Sequence, residues 1–113
     1  MDRSQRLGKR DFETLYQKGA ALSGPLLALR HLENGDGRTR WGFAVGKRLA
    51  KHAVLRNRVR RRLREAARSL PVPAGHDFVL TARQGAVEAR QSELRVALEQ
   101  LLRRAGLLAD VAQ

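Results

Sequence analysis

Apolar positions along the chain change their spacing several times, and each spacing predicts an element. Phe12, Leu15 and Tyr16 share one helical face, and Gly19 is placed to stop that helix. Leu26 to Leu32 reads as a strand opened by Pro25. Asn34-Gly35-Asp36-Gly37 is turn chemistry. Trp41 to Val45 then alternates strictly. Trp41, Phe43 and Val45 fall on one face, and Gly42, Ala44 and Gly46 on the other. The two strands with the turn between them predict a hairpin. Leu49 to Ala53 is a connection of undefined shape. Leu55, Val59, Leu63, Ala66 and Leu70 form one stripe of a helix running from about Val54 to Leu70. Pro71 and Pro73 stop it. Asp77 to Arg83 reads as a buried strand, broken by Gly85. A last helix, capped by Ser92 and ended by Gly106, carries Leu94, Ala97, Leu98, Leu101, Leu102 and Ala105 on one stripe. The first apolar run leaves room for one more strand. The order is then αβββαβα, an α+β protein (α/β sandwich) forming a single domain over 1–113.

Composition narrows the class. The chain has 113 residues, 42% apolar but only 4% aromatic, so its core must rest on Leu, Val and Ala. It has no Cys, which excludes disulfides and thiolate metal sites and fits a reducing cytoplasm. Met1 to Arg10 is charged, with no apolar run after it of the kind a signal peptide has. The longest apolar stretches fall far short of the ~20 residues of a membrane span.

Charge changes the picture most. The net charge is +12, and Lys47 to Arg68 holds 10 basic residues against Glu65 alone. Asn57, Arg61, Arg64 and Arg68 fall opposite the apolar stripe. Arg60 lies on one shoulder, and Arg58 and Arg62 on the other. Arg56 comes near the apolar edge. Like charges at this spacing repel by ~0.2–0.5 kcal/mol per pair. A purely structural helix would mix signs, so a polyanionic partner is expected. Two plainer readings are a solvated charged face and a membrane-surface helix. The small apolar stripe, without Trp or Phe, argues against the second. Arg outnumbers Lys by 19 to 4, which suits phosphate and base recognition or reflects codon bias.

Little else carries chemistry. His31, His52 and His76 are scattered, and the 11 carboxylates are spread singly. No phosphate loop is present, because Gly35 and Gly37 sit in a turn. No protein-borne catalytic constellation is visible. Phe12 and Tyr16, at i and i+4, are either core residues or rings left exposed for bases to stack on. The small face of Gly42, Ala44 and Gly46 either opens a groove or lets a helix approach closely.

The segment Lys47 to Glu65 resembles the signature of the bacterial ribonuclease P protein subunit. Arg56-Asn57-Arg58, Val59, Arg60-Arg61 and Arg64-Glu65 match its motif in order. Asp11 to Gly19 looks like that family's first helix, Gly42 to Arg48 like its strand entering the motif, and Asp77 to Arg83 like its later strand. The resemblance spans roughly 7 to 105. It implies a central four-stranded sheet with a left-handed βαβ crossover. It implies that the crossover helix contacts a catalytic RNA subunit. It also implies that a cleft between the first helix and the sheet holds the single-stranded 5′ leader of precursor tRNA. Cleavage would belong to the RNA and its bound Mg²⁺, with no cofactor on the protein alone. Arg56, Asn57, Arg58, Arg60 and Arg61 carry over as RNA contacts, and Lys47 and Arg48 match the basic pair after the strand. Lys51, Arg62 and Arg64 complete the basic set. Phe12, Tyr16, Arg30 and Phe43 are the expected cleft residues. Arg30 stands where the family often has an aromatic, and Gly46 where a Ser is frequent. Catalytic RNA and precursor tRNA are the expected partners, with neither membrane nor DNA among them. A general or ribosomal RNA-binding protein is the alternative. A helix-turn-helix DNA binder is disfavoured by the strands before the basic helix and the missing partner helix.

Overall fold

The computed structural model describes residues 7–108, so the outermost ends of the 1–113 domain reading lie outside it. The chain runs α1 (Lys9–Lys18), β1 (Ala20–Ser23), β2 (Leu27–Glu33), β3 (Arg40–Ala44), α2 (Ala53–Arg68), β4 (His76–Ala82) and α3 (Gln91–Arg104). The expected extra strand is β1. The four strands form one mixed sheet in the order β1-β2-β4-β3. β3 and β4 are parallel and joined through α2, while the other neighbours are antiparallel. The architecture is therefore α+β.

The expected hairpin between β2 and β3 does not form, because β4 lies between them. Phe78, Val79 and Leu80 are consecutive and all buried, which only a strand covered on both faces tolerates. β4 therefore takes the centre. The turn chemistry at 34–37 is real, and Gly35 and Gly37 have positive φ. Its loop crosses the start of β4 instead of closing a hairpin. Asn34 N–H donates to the Gly75 carbonyl at 2.8 Å, and its side-chain amide donates to Asp77 at 2.8 Å.

α2 and α3 cover one face of the sheet. Val59, Leu63, Ala66, Leu94, Leu98 and Leu102 pack there on Leu27, Leu29, Trp41, Phe78 and Leu80. The helix stripes read from sequence are thus core, with small corrections at the ends. α2 stops at Arg68 with Ser69 as its cap, so Leu70 is buried beyond the helix. Ser92 is not the cap of α3. Arg90 holds that place, and its N–H donates to Glu93 at 2.8 Å.

α1 packs on the opposite face through Leu15, which is wholly buried. Gly19 ends α1 by close approach, since a Cβ there would meet the Leu15 carbonyl oxygen at 2.6 Å. A polar staple fixes the other end. Arg40 donates to both oxygens of Asp77 at 2.9 Å and reaches Asp11 of α1 at 3.4 Å. The Asp77 hydrogen bond pushes the Arg40 guanidinium pKa still higher, so the pair stays charged on its cationic side. Asp77→Ala should cost about 2–3 kcal/mol in urea denaturation, below the ~3–5 of a fully buried pair because Arg40 is partly solvated.

Candidate nucleic-acid interface

The α1 face of the sheet brings together three of the four expected cleft residues. Arg30 and Gly42 both lie opposite Val79 in register, so they share this face. The Phe12 ring sits directly against Gly42, where even a Cβ would meet its ζ carbon at 2.3 Å. At Gly42 the small face therefore serves close helix approach, while Gly46, beyond the end of β3, stands in open space. Tyr16, one turn along α1, is 48% exposed. The Arg30 guanidinium lies 4.6 Å from the Tyr16 ring centre and donates to the Tyr16 carbonyl at 3.5 Å. Leu15 supplies the core contact, and this leaves Phe12 and Tyr16 at its borders.

Phe43 is not on that face. Alternation that turns Gly42 toward α1 turns Trp41 and Phe43 toward α2. Phe43 stacks on Trp41 at 5.8 Å, nearly parallel, and the Arg64 guanidinium stands 5.7 Å from its ring centre. Trp41 in turn stacks on Phe78 at 4.4 Å. β3 is an edge strand, however, and both faces open onto one hollow beside it. That hollow, of about 240 Å³, is lined by Leu7, Phe12, Trp41, Gly42, Phe43, Arg60 and Arg64. It returns Phe43 to the neighbourhood of Phe12 around the edge of the sheet. Nothing in the sequence marks Leu7 and Trp41 as site residues. Only the position of β3 at the sheet edge reveals them.

The basic set divides by what each cation touches. Lys47, Arg48 and Lys51 are exposed on the loop between β3 and α2. Asn57, Arg58 and Arg61 are exposed on α2 and line, with Val54, a shallow hollow of about 310 Å³. Val54 is 72% exposed, an apolar spot among cations. Arg60 donates to Asn57 at 2.7 Å and borders the β3 hollow. Arg64, expected to face straight outward, instead covers Phe43. Two others turn back onto the protein. Arg56 donates to the carbonyls of Ala50 and Lys51, and Arg62 to that of Val87 at 3.2 Å. The first turn of α2 has no acidic residue and no side-chain cap, so the positive end of its dipole adds to the field of the basic loop.

Five carboxylates are committed elsewhere. Asp11 and Asp77 hold Arg40, Glu65 pairs with Arg68, Glu99 with Arg95 and Arg103, and Glu93 closes α3. Among the described residues no group of three or more His, Asp or Glu could hold a metal ion. His31 lies on the far face opposite Phe78; burial, and then the nearby His76, lower its pKa. Among the described residues no helix is long and apolar enough to cross a membrane. The arrangement offers phosphate-binding cations beside rings and a guanidinium on which bases can stack.

The family model described as Ribonuclease P matches residues 1–106. A ribonuclease P protein component of Xanthomonas oryzae pv. oryzae is 42% identical over 108 residues, covering 94% of this chain and 74% of the relative. That of Symbiobacterium thermophilum is 42% identical over 112 residues, covering 96% of each. Among solved structures, a Staphylococcus aureus RNase P protein superposes with a TM-score of 0.81 at 28% identity, covering 93% of this chain and 98% of that one. The Thermotoga maritima RNase P protein gives 0.79 at 28% identity, covering 88% and 96%.

Proposed function

Because this chain belongs to the ribonuclease P protein family, the protein component of the ribonucleoprotein enzyme that removes the 5′ leader from precursor tRNA, we propose that it divides its two RNA contacts between two surfaces. The exposed cations of α2 and of the loop before it hold the catalytic RNA. The α1 face, with Phe12, Tyr16 and Arg30, holds the single-stranded leader, and the hollow at the edge of β3 joins the two. One observation carries this reading: Phe12 of α1 and Arg60 and Arg64 of α2 line the same hollow. A strand of nucleotides can there stack on a ring while its phosphates meet guanidinium groups. Phosphodiester hydrolysis is assigned to the RNA with its Mg²⁺. Asp11, Asp77, Glu65 and Glu99 are held by Arg40, Arg68, Arg95 and Arg103, and this pairing supports that assignment. The working compartment is the cytoplasm.

Cleavage of precursor tRNA by the catalytic RNA, with and without this protein, tests the whole. The protein should lower the Mg²⁺ requirement and favour precursor over mature tRNA, and cleavage by the protein alone would overturn the division of labour. A narrower prediction concerns Arg58, exposed and without a hydrogen-bond partner among the described residues. Arg58→Glu should weaken assembly with the catalytic RNA at low Mg²⁺ by tenfold or more, on the order of what losing one charge-assisted phosphate contact costs. It should also flatten the logarithmic salt dependence by about 0.7–0.9. Filter binding across a salt series reads both.

A further inference from the structure

Arg56, the first residue of the Arg-Asn-Arg set, is turned inward. One of its terminal nitrogens donates to the carbonyl of Ala50 at 2.9 Å and to that of Lys51 at 2.6 Å. Ala50 is buried, and Arg56 itself is only partly exposed. The segment it grips is the loop that carries Lys47, Arg48 and Lys51. At its β3 end that loop is closed by the Gly46 carbonyl, which accepts the N–H groups of Leu49 and Ala50 at 3.1 and 3.2 Å. At its α2 end, among the described residues, only Arg56 bonds the two carbonyls. Arg58, two positions on, is rotated ~200° around the helix and faces solvent. The two arginines of one motif are therefore in opposite situations, one committed to the backbone and one open.

A loop cation binds phosphate well only if its backbone is already in place, since ordering it at the moment of contact costs affinity. The guanidinium of Arg56 provides that order through a single terminal nitrogen, whose two N–H groups meet two carbonyls side by side. We infer that Arg56 is a positioning residue: it sets the shape of the loop at 46–51, and Lys47, Arg48 and Lys51 on that loop meet the RNA phosphates. This rests on the proposal that this surface binds the catalytic RNA, but its first test is made on the free protein and is independent of it.

Hydrogen exchange of the free protein is compared for Arg56→Gln and Arg58→Gln, which remove the same charge from the same helix. Arg56→Gln should speed exchange at the Leu49 and Ala50 amides by about tenfold, while the amides of β4 and α3 stay protected and so report an intact fold. Arg58→Gln should leave the loop amides unchanged. Assembly with the catalytic RNA is then measured for Arg56→Gln alone and in a background with Lys47, Arg48 and Lys51 changed to Ala. The affinity lost through Arg56→Gln should largely vanish in that background, because nothing remains to be positioned. Loop exchange unaltered by Arg56→Gln, together with an affinity loss that persists at full size in the triple background, would make Arg56 a direct phosphate contact and overturn the inference. Global loss of protection would show a residue needed for folding and would overturn it equally. If the wild-type protein fails to assemble with the RNA, the functional reading falls while the exchange result stands.

Discussion

Gly42→Ala should lower affinity for precursor tRNA by roughly tenfold and leave affinity for mature tRNA unchanged. The reason is a collision between one methyl group and one ring. A Cβ on Gly42 would stand 2.3 Å from the Phe12 ζ carbon, 2.8 Å from an ε carbon and 3.2 Å from Leu7. Real contacts are never so short, so the ring must leave. It can leave, because Phe12 is the far end of a side chain only partly buried, at the border of α1 and the sheet. The expected cost therefore falls on the leader surface more than on stability. Losing one base stack is worth ~1–3 kcal/mol, which brackets the tenfold effect. Phe12→Ala should reproduce it, and the two changes together should cost no more than either alone. An equal loss on mature tRNA, or a large drop in the unfolding midpoint for Phe12→Ala, would move the ring from the leader surface to the core.

Phe78→Ala should bring the protein close to unfolding. Phe78 is wholly buried at the centre of the sheet, opposite His31 on one side and Trp41 on the other. Its ring stacks on Trp41 at 4.4 Å and on His76 at 5.9 Å. Truncations of this kind cost about 3–5 kcal/mol, a large part of the ~5–15 kcal/mol that a domain has in total. The thermal midpoint should fall by more than about 10 °C. Trp41 should also become exposed to solvent, readable as a shift of its fluorescence. A fall of only a few degrees would mean that α2 and α3 collapse into the gap.

Much of both surfaces is legible in the chain because it rests on local periodicity. The stripe from Leu55 to Leu70 turns Arg58 and Arg61 outward without any need for a partner element. The ordered match from Arg56 to Glu65 named the family that the comparisons show. Arg56, already noted at the apolar edge, is the cation that the structure folds back. Period-two alternation in Trp41 to Val45 separated Gly42 from Phe43 correctly. Even so, the resemblance places Phe43 among the cleft residues, and alternation does not correct this, because it says which residues share a face but not which face meets α1. Similar reasoning explains Arg64. Helical phasing put it opposite the stripe, but a long side chain at the rim can lie over Phe43 instead of pointing into water.

Strand order was the part that sequence order misrepresented. Adjacent runs joined by turn residues make a hairpin the expected default. The hairpin was displaced because Phe78, Val79 and Leu80 need cover on both faces, and only the centre of the sheet provides it. That is a competition among all four strands for burial, and no local window contains it. The sequence by itself determined the helices, the cationic surface and the family, since these depend on spacing within one element and on a run of matched residues. Only the tertiary structure decided that β3 lies at an edge, that Phe12 and Arg60 border one hollow, and that Arg56 spends its charge on the backbone. The first two depend on distances between elements far apart in the chain, which packing fixes; the third depends on the path of the loop just before α2, which the spacing within the helix does not define.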